Sequence, residues 1–491
     1  MEEANHASVE SENLKEKTAK GLFWGGLSNG IQQLLNLVFG IFLARLLSQS
    51  DYGMVGMLTV FSTLASALQE GGFVSALIRK KDASHKDFNA VFWTNVLMSL
   101  TLYVILFLSA PLIARFYGIP ELTPLARFIF IGLFISSFGI VPGAIMYRNM
   151  MVKQQAICSF VTLIISGTLA VILAWQGFAY WGIAIQTVVY VTLVQLMRFY
   201  FTGWRPTLKV DFSPVKEMFG FSSKLIVTNM FNIVNGNIFP ILLGKLYTAR
   251  EVGNFTQANK WNNMGSTLVG SMVSAIAQPV FAKTDDDTVR QKRVFRKLLR
   301  FTAFVSFPAM FGLALVAKEF IVILLTEKWL ESAQLMQILC IAGAFTPIST
   351  LFSNLIITRG HSTIYMWGSM AQCLVQLGAA ILAAPYGISR MIQVYVAIQI
   401  GWILVWHFFA RKEIGLNIME VLKDIFPYLT LSSLYVGAAL LLTMSMTNLY
   451  ASFACKVVFV ALCYCVSLWL LKSTIFMETV AFVFKRKIST P

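Results

Sequence analysis

Two ionisable side chains lie inside long apolar stretches of the sequence, where a charge is costly. Glu70 precedes Gly71-Gly72 and lies about 14 Å along a helix from Arg79, near the middle of a membrane-length segment. Lys260 is a cation within a second such stretch. Ionisable groups inside a membrane mark substrate or ion paths by default. Glu70 is therefore a candidate cavity or coupling acid, with a buried structural pair or a protonated core acid as the alternative, and Lys260 is a candidate contact for an anionic ligand.

Amide side chains gather in the same apolar stretches. In lipid an unpaired amide costs several kcal/mol, so these side chains must face other helices or water. Hydrogen bonds between helices and a water-filled cavity between two lobes both remain open. Amides, an indole ring and a cation together suit a sugar phosphate, because hydroxyls bond to amides, a sugar face stacks on the ring and phosphate pairs with the cation. Beside Lys260 and Glu70, the predicted cavity residues are Asn29, Asn229, Asn232, Gln257 and Trp261.

An internal repeat relates the two halves of the chain. Residues 43–53 align without a gap with residues 243–253, and upstream Asn29 falls on Asn229. Duplicated halves built from apolar helices are typical of secondary transporters. Because six predicted helices separate the two copies, both enter the membrane from the same side. The repeat is therefore parallel and not inverted.

The repeated turn carries a capping pattern in both copies. Ser48 is followed by Asp51, and Thr248 by Glu251, as in a capping box. A basic residue precedes each turn at a helix C-terminus, where a cation complements the helix dipole. The turns are interpreted as structural, with an outer gate closed by ion pairs as the alternative. The charged residues concerned are Arg45, Asp51, Lys245 and Glu251.

Composition excludes a soluble globule. Hydrophobic residues make up 57% of the chain and charged residues 13%, and the mean hydropathy is +0.69. About fourteen stretches are long enough to cross the ~30 Å hydrocarbon core. The polar N-terminal stretch predicts no cleavable signal peptide, so the first helix would act as the insertion signal. The predicted segments are 22–46, 54–78, 88–114, 126–147, 157–175, 178–201, 221–245, 254–281, 299–325, 333–357, 364–384, 388–410, 425–446 and 452–471.

The net charge of +16 follows the topology. Most Lys and Arg residues fall in alternate loops and in both tails, which the positive-inside rule places in the cytoplasm. The charge therefore indicates anionic membrane lipids as partners and not nucleic acid. The most basic loop, residues 283–300, is predicted to form a short amphipathic helix on the inner leaflet.

The predicted fold is an all-α polytopic membrane protein with two parallel six-helix repeats forming two lobes, plus two C-terminal helices. The predicted boundaries are a cytoplasmic N-tail (1–20), an N-lobe (21–202), a cytoplasmic connector (203–220), a C-lobe (221–411), the two added helices (412–472) and a cytoplasmic C-tail (473–491).

The sequence holds no pattern typical of an enzyme or a metal site. The six cysteines form no CxxC pair and the four histidines are scattered, so neither a metal nor a disulfide is expected. A GxxxxGK[ST] loop is missing, which argues against direct ATP drive. No nucleophile with an adjacent base appears. We therefore expect no cofactor and no catalytic residues.

Four short stretches resemble a known family, the polysaccharide flippases of the multidrug/oligosaccharidyl-lipid/polysaccharide exporter superfamily, in the colanic-acid and teichuronic-acid exporter branch. They are ARLLSQSDYG (44–53), EGGFVSALIRK (70–80), FWTN (92–95) and APLIARFYG (110–118). The resemblance implies a polyprenyl-pyrophosphate-linked oligosaccharide as substrate, moved from the inner to the outer leaflet of the cytoplasmic membrane by alternating access. Flippases of lipid-linked intermediates use cationic cavity residues, and a corresponding role for Lys260 is a hypothesis that does not rest on a residue-by-residue alignment. We further expect a monomer that works beside polysaccharide assembly proteins.

Two alternatives remain. A cation-coupled multidrug exporter of the same superfamily would favour several acids within its lobes, whereas Glu70 is nearly alone. A membrane glycan polymerase or ligase would carry a substantial external loop, and the predicted loops are short.

Overall fold

The structure, a computed structural model, describes residues 30–70, 77, 80, 83–209, 211–213, 215, 239–283 and 287–483. The chain folds into two compact units, Met1–Val252 and Gly253–Pro491. All regular secondary structure within the described ranges is helical.

Within its described residues, the first unit contains seven helices and a further helical stretch at residues 239–246. The helices are α1 (Gly30–Leu46), α2 (Gln49–Glu70), α3 (His85–Tyr117), α4 (Leu122–Phe138), α5 (Ile140–Arg148), α6 (Val152–Trp175) and α7 (Tyr180–Thr202).

The second unit begins within α8 and continues to the end of the chain. Its helices are α8 (Ala249–Lys283), α9 (Thr288–Leu315), α10 (Ala317–Leu325), α11 (Leu330–Thr358), α12 (Ser362–Ala383), α13 (Ile388–Ile414), α14 (Ile418–Thr443), α15 (Leu449–Leu470) and α16 (Thr474–Val483). A short 3-10 turn at Glu327–Trp329 connects α10 to α11, and another at Ala384–Tyr386 connects α12 to α13.

Ten of the described helices are long and apolar enough to cross a membrane, and the number is eleven if α4 and α5 count as one span. The multi-pass helical fold predicted from composition is thus confirmed. The predicted segments 22–46 and 221–245 lie partly or mainly outside the described residues. The total of about fourteen therefore stays a prediction.

The predicted segment 126–147 is bent by 43° where α4 meets α5. Gly139 forms the break, and a Cβ there would lie 1.4 Å from Oε1 of Gln195 on α7. Arg198, one turn further along α7, donates to the Gly139 carbonyl at 3.3 Å. The bend therefore follows from a polar helix–helix contact that needs the absence of a side chain at Gly139.

The basic run 288–300 is not the separate short amphipathic helix that the sequence predicts. It forms the first turns of α9, which begins at an N-cap where Asp287 accepts from the Arg290 amide at 2.9 Å. The buried Phe295 and Leu299 within the run draw it into the fold. The predicted segment 299–325 is in turn interrupted at Val316, between α9 and α10.

Small residues let the helices approach closely. A Cβ on Gly167 of α6 would lie 2.6 Å from the ring of Phe39 on α1, and one on Gly368 of α12 would lie 2.5 Å from the indole of Trp406 on α13. In lipid the hydrophobic effect does not drive helices together, so close packing of this kind stabilises their association.

The segment after α7 packs against the start of α3. Trp93 Nε1 donates to the Thr207 carbonyl at 2.8 Å, and Asn89 bonds to the backbone of Thr207 and Lys209. Lys86 pairs with Asp211 at 2.7 Å and holds the pKa of that carboxyl below its usual range. Polar contacts therefore fix Thr207, Lys209 and Asp211 to α3.

Candidate functional site

Lys260 lies on α8 with an exposed side chain. Its Nζ is 5.8 Å from the ring centroid of the adjacent Trp261, which is within cation–π range. Within the described residues, Lys260 has no acidic partner. An ammonium group that lies over an indole ring, with no acidic partner among the described residues, can donate hydrogen bonds to an anionic ligand.

Trp261 is buried, with 4% of its surface exposed. Its ring meets Phe320 of α10 edge-to-face, with the centroids 5.0 Å apart. In this conformation the indole therefore packs against α10 and does not offer a free face. The predicted stacking of a sugar on Trp261 would require that contact to open.

Gln257 lies one turn before Lys260 and Trp261 on the same face of α8. It is 1% exposed, and both its amide nitrogen and its amide oxygen lack a hydrogen-bond partner in the described part of the chain. The indole nitrogen of Trp261 and Oδ1 of Asn262 lack one as well. An unsatisfied buried polar group costs about 1–3 kcal/mol, so a polar ligand or water at this face would be stabilised. We refer to Gln257, Lys260 and Trp261 as the polar strip.

Other amides of α8 take part in hydrogen bonds between helices. Asn254 donates to Glu331 and accepts from Ser332 of α11 at 2.9 Å. Near the other end of α8, Gln278 donates to Asn354 of α11 at 3.1 Å. Hydrogen bonding between helices therefore accounts for Asn254, whereas the cavity interpretation of the polar strip stays a prediction.

Several predicted site residues cannot be placed. Asn29, Asn229 and Asn232 lie outside the described residues. Glu70 is the last residue of α2, and its side chain is outside the described part. Its neighbour Gln69 is buried and accepts from Ser136 of α4 at 3.0 Å. The environment of Glu70 stays a prediction.

Both repeated turns form reciprocal capping hydrogen bonds. Asp51 Oδ2 accepts from the Ser48 amide at 2.8 Å, and the Asp51 amide donates back to the Ser48 hydroxyl at 3.2 Å. The corresponding distances for Thr248 and Glu251 are 3.0 and 3.4 Å. Asp51 makes one further contact, since its Oδ1 accepts from the Tyr180 amide at the start of α7 at 3.2 Å.

Both basic residues before the two turns are exposed, and Lys245 contacts α3. Lys245 Nζ donates to the carbonyl of Phe116 at 2.6 Å and lies 4.8 Å from that ring. It thereby caps the last turn of α3, where the helix dipole is negative. Arg45 is exposed at the C-terminal end of α1.

A buried ion pair in the second unit escaped the sequence prediction. Glu319 on α10 accepts from both Lys456 and Ser452 of α15, and all three residues are buried. Lys260 is predicted to be the one cation within a membrane segment, but Lys456 also lies inside a predicted segment. The rule that intramembrane charges are paired or functional would have found both residues.

A second ionic cluster joins α9 to α14. Arg296 binds Asp424 with two nitrogens, at 2.7 and 3.1 Å, and contacts Glu420 at 3.2 Å. Lys292 pairs with Glu420 at 2.7 Å. The basic run that the sequence assigns to lipid headgroups is therefore partly used to hold a helix pair together.

No group of three or more His, Cys, Asp or Glu side chains within the described residues could hold a metal ion.

The family comparison matches residues 42–334 to the model described as polysaccharide biosynthesis protein. The chain is 24% identical over 439 residues to the lipopolysaccharide biosynthesis protein WzxC of Escherichia coli K12, covering 87% of this chain and 88% of that one. It is 24% identical over 451 residues to the teichuronic acid biosynthesis protein TuaB of Bacillus subtilis 168, covering 87% and 89%.

The fold matches that of the lipid II flippase MurJ in an inward closed conformation. The TM-score is 0.73 at 15% identity, covering 94% of this chain and 99% of that chain. At such low identity the likeness concerns the fold. Because the family model covers more than half of the sequence, this chain belongs to the polysaccharide biosynthesis protein family.

Proposed function

We propose that this protein is a flippase. It moves an oligosaccharide carried on polyprenyl pyrophosphate from the inner to the outer leaflet of the cytoplasmic membrane by alternating access, for surface polysaccharide or lipopolysaccharide synthesis. Family membership supports polysaccharide synthesis, and the MurJ-like fold supports movement of a lipid-linked substrate. The proposal includes transport without covalent catalysis and without a cofactor.

The polar strip on α8 contains the residues that we propose to bind the substrate. Lys260 would pair with the pyrophosphate, and the unsatisfied amide of Gln257 would bond to pyrophosphate or sugar oxygens. Glu70, Asn29, Asn229 and Asn232 are proposed as further cavity residues on sequence grounds. Trp261 would contact a sugar after its contact with Phe320 has opened.

The finer architecture is also part of the proposal. It comprises about fourteen helices, two parallel six-helix repeats, lobes at 21–202 and 221–411, an added pair at 412–472, and both termini in the cytoplasm. The protein would act as a monomer beside polysaccharide assembly proteins. The internal repeat and the distribution of Lys and Arg support these points.

The decisive experiment follows the lipid-linked precursor in a deletion strain. We expect the precursor to accumulate on the inner leaflet and the surface glycan to be lost, with both restored by the wild-type gene. Lys260→Ala should fail to restore export, and Lys260→Arg should restore part of it. Arg390, exposed on α13, provides a control, and Arg390→Ala should export normally.

The proposal fails if the deletion strain exports its glycan normally. Drug resistance on overexpression without any glycan phenotype would favour the multidrug exporter. Unchanged export by both Lys260→Ala and Glu70→Ala would remove those two residues from the proposed site while leaving the flippase itself intact.

A further inference from the structure

An open cavity of about 630 Å³ lies between α8, α9 and α16. This volume falls within the range of about 300–1,000 Å³ that is usual for ligand pockets. Its lining on α8 begins at Ile276, about 22 Å along the helix from Trp261, so the cavity is separate from the polar strip. The apolar lining residues are Ile276, Val280, Val294, Leu298, Phe301 and Ile475.

Among the described lining residues, the polar groups are confined to one ion pair. Lys297 Nζ meets the Glu478 carboxylate at 2.7 Å, and the two side chains are 57% and 50% exposed. The pair lies at the rim and leaves the interior apolar. Pockets for polar ligands place several hydrogen-bonding groups inside, so this interior suits a hydrocarbon chain.

Basic side chains continue from this rim along α9. Arg290, Arg293 and Lys297 recur at helical spacing on the face that also carries Val294 and Phe301. Arg290 and Arg293 are exposed and have no acidic side-chain partner within the described residues. Arg290 lies in the first turn of α9, where the helix dipole also favours an anion, and Arg293 lies about one turn further along.

The predicted membrane topology places this positive charge on the cytoplasmic side. The basic start of α9 belongs to a loop that the positive-inside rule assigns to the cytoplasm. The sequence after α16 continues with Lys485-Arg486-Lys487. Cytoplasmic leaflets carry anionic lipids that attract such clusters. An apolar cavity beneath a basic rim thus matches a lipid with an anionic headgroup.

We propose that this cavity holds an acyl chain of an anionic phospholipid from the inner leaflet, with the phosphate held by Arg290, Arg293 and Lys297. The lipid fills the space between the three helices and ties α16 to α8 and α9. This site is independent of the proposed transport substrate, because it uses no residue of the polar strip.

The test measures lipid retention by the purified full-length protein with native mass spectrometry, using phosphatidylglycerol and phosphatidylcholine of equal chain length. The wild type should retain phosphatidylglycerol preferentially. Arg290→Gln combined with Arg293→Gln should weaken that retention by roughly tenfold or more, because each cation near the surface adds to the attraction. Leu298→Trp, which fills the cavity, should weaken it as well.

Two control variants test whether the loss of any arginine, or the addition of any indole, lowers lipid retention. Arg390→Gln removes an exposed arginine elsewhere, and Leu462→Trp adds an indole at a side chain that is 58% exposed on α15. Both should retain phosphatidylglycerol as the wild type does. If Leu298→Trp does not fold, Val294→Phe provides a smaller change to the same cavity.

Three outcomes would overturn the proposal. The first is equal retention of the two phospholipids by the wild type, and the second is unchanged retention of phosphatidylglycerol after the cavity is filled. The third is displacement of phosphatidylglycerol by polyprenyl phosphate at equimolar concentration, because a polyprenyl chain would then be the occupant.

Discussion

A Cβ atom on Gly53 would lie 1.7 Å from the carbonyl oxygen of Ala249. The two repeated turns therefore pack backbone against backbone, with the first turn of α2 meeting the first turn of α8. The neighbouring Gly244 shows the same requirement, since a Cβ there would lie 2.6 Å from the ring of Tyr117. Each repeat supplies a glycine to the region where the two turns meet.

Gly53→Ala should destabilise the protein. In a helix this change usually stabilises by about 0.5–1 kcal/mol, because alanine loses less conformational freedom on folding. Here the contact with Ala249 forces the backbones apart, at a cost of about 1–3 kcal/mol. A lowered melting temperature in detergent would show that the contact dominates. Gly270→Ala, within α8 and without a neighbour within 4 Å, should show the ordinary stabilisation.

The capping hydrogen bonds predict a graded loss of stability. Ser48→Ala and Thr248→Ala should each lower stability by about 1 kcal/mol, because each removes one cap. Asp51→Ala should cost more, since the carboxylate also accepts from the Tyr180 amide. Thermal unfolding of the purified variants tests this order. Loss of glycan export with unchanged melting temperatures would instead favour the outer-gate interpretation.

Gln257→Leu should reduce glycan export without lowering the stability of the protein. The buried amide has no partner within the described residues, so an apolar side chain of similar size should leave stability unchanged or raise it. If the amide serves the substrate, export should fall at the same time. Asn254→Leu is the contrasting change, because Asn254 bonds to Glu331 and Ser332, and it should lower stability. Normal export by Gln257→Leu would contradict the proposed role.

The buried pair of Glu319 and Lys456 should behave as a coupled unit. Glu319→Leu or Lys456→Met alone leaves an uncompensated buried charge and should cost about 3–5 kcal/mol. The double variant removes both charges and should recover most of that loss. A double-mutant cycle on unfolding free energies measures the coupling. Additive losses would show that the two side chains do not stabilise each other.

The sequence placed most helices well because membrane spans need about 20 apolar residues, a property of each segment alone. It also placed the two capping boxes, since Ser48 and Asp51 interact within one turn of chain. By contrast, the bend at Gly139 depends on Gln195 and Arg198 of another helix, and no local pattern shows it.

The amide-rich face of α8 shows the same division within one helix. The sequence of α8 alone shows that many amides need hydrogen-bond partners within a membrane, and it predicts Lys260 and Gln257 as site residues. Only the tertiary structure decided that Asn254 is satisfied by α11 while Gln257 is left without a partner in the described chain. It likewise paired Glu319 with Lys456 across more than a hundred residues. Composition and local spacing are set by the chain itself, whereas a buried polar group finds its partner only when distant helices pack together.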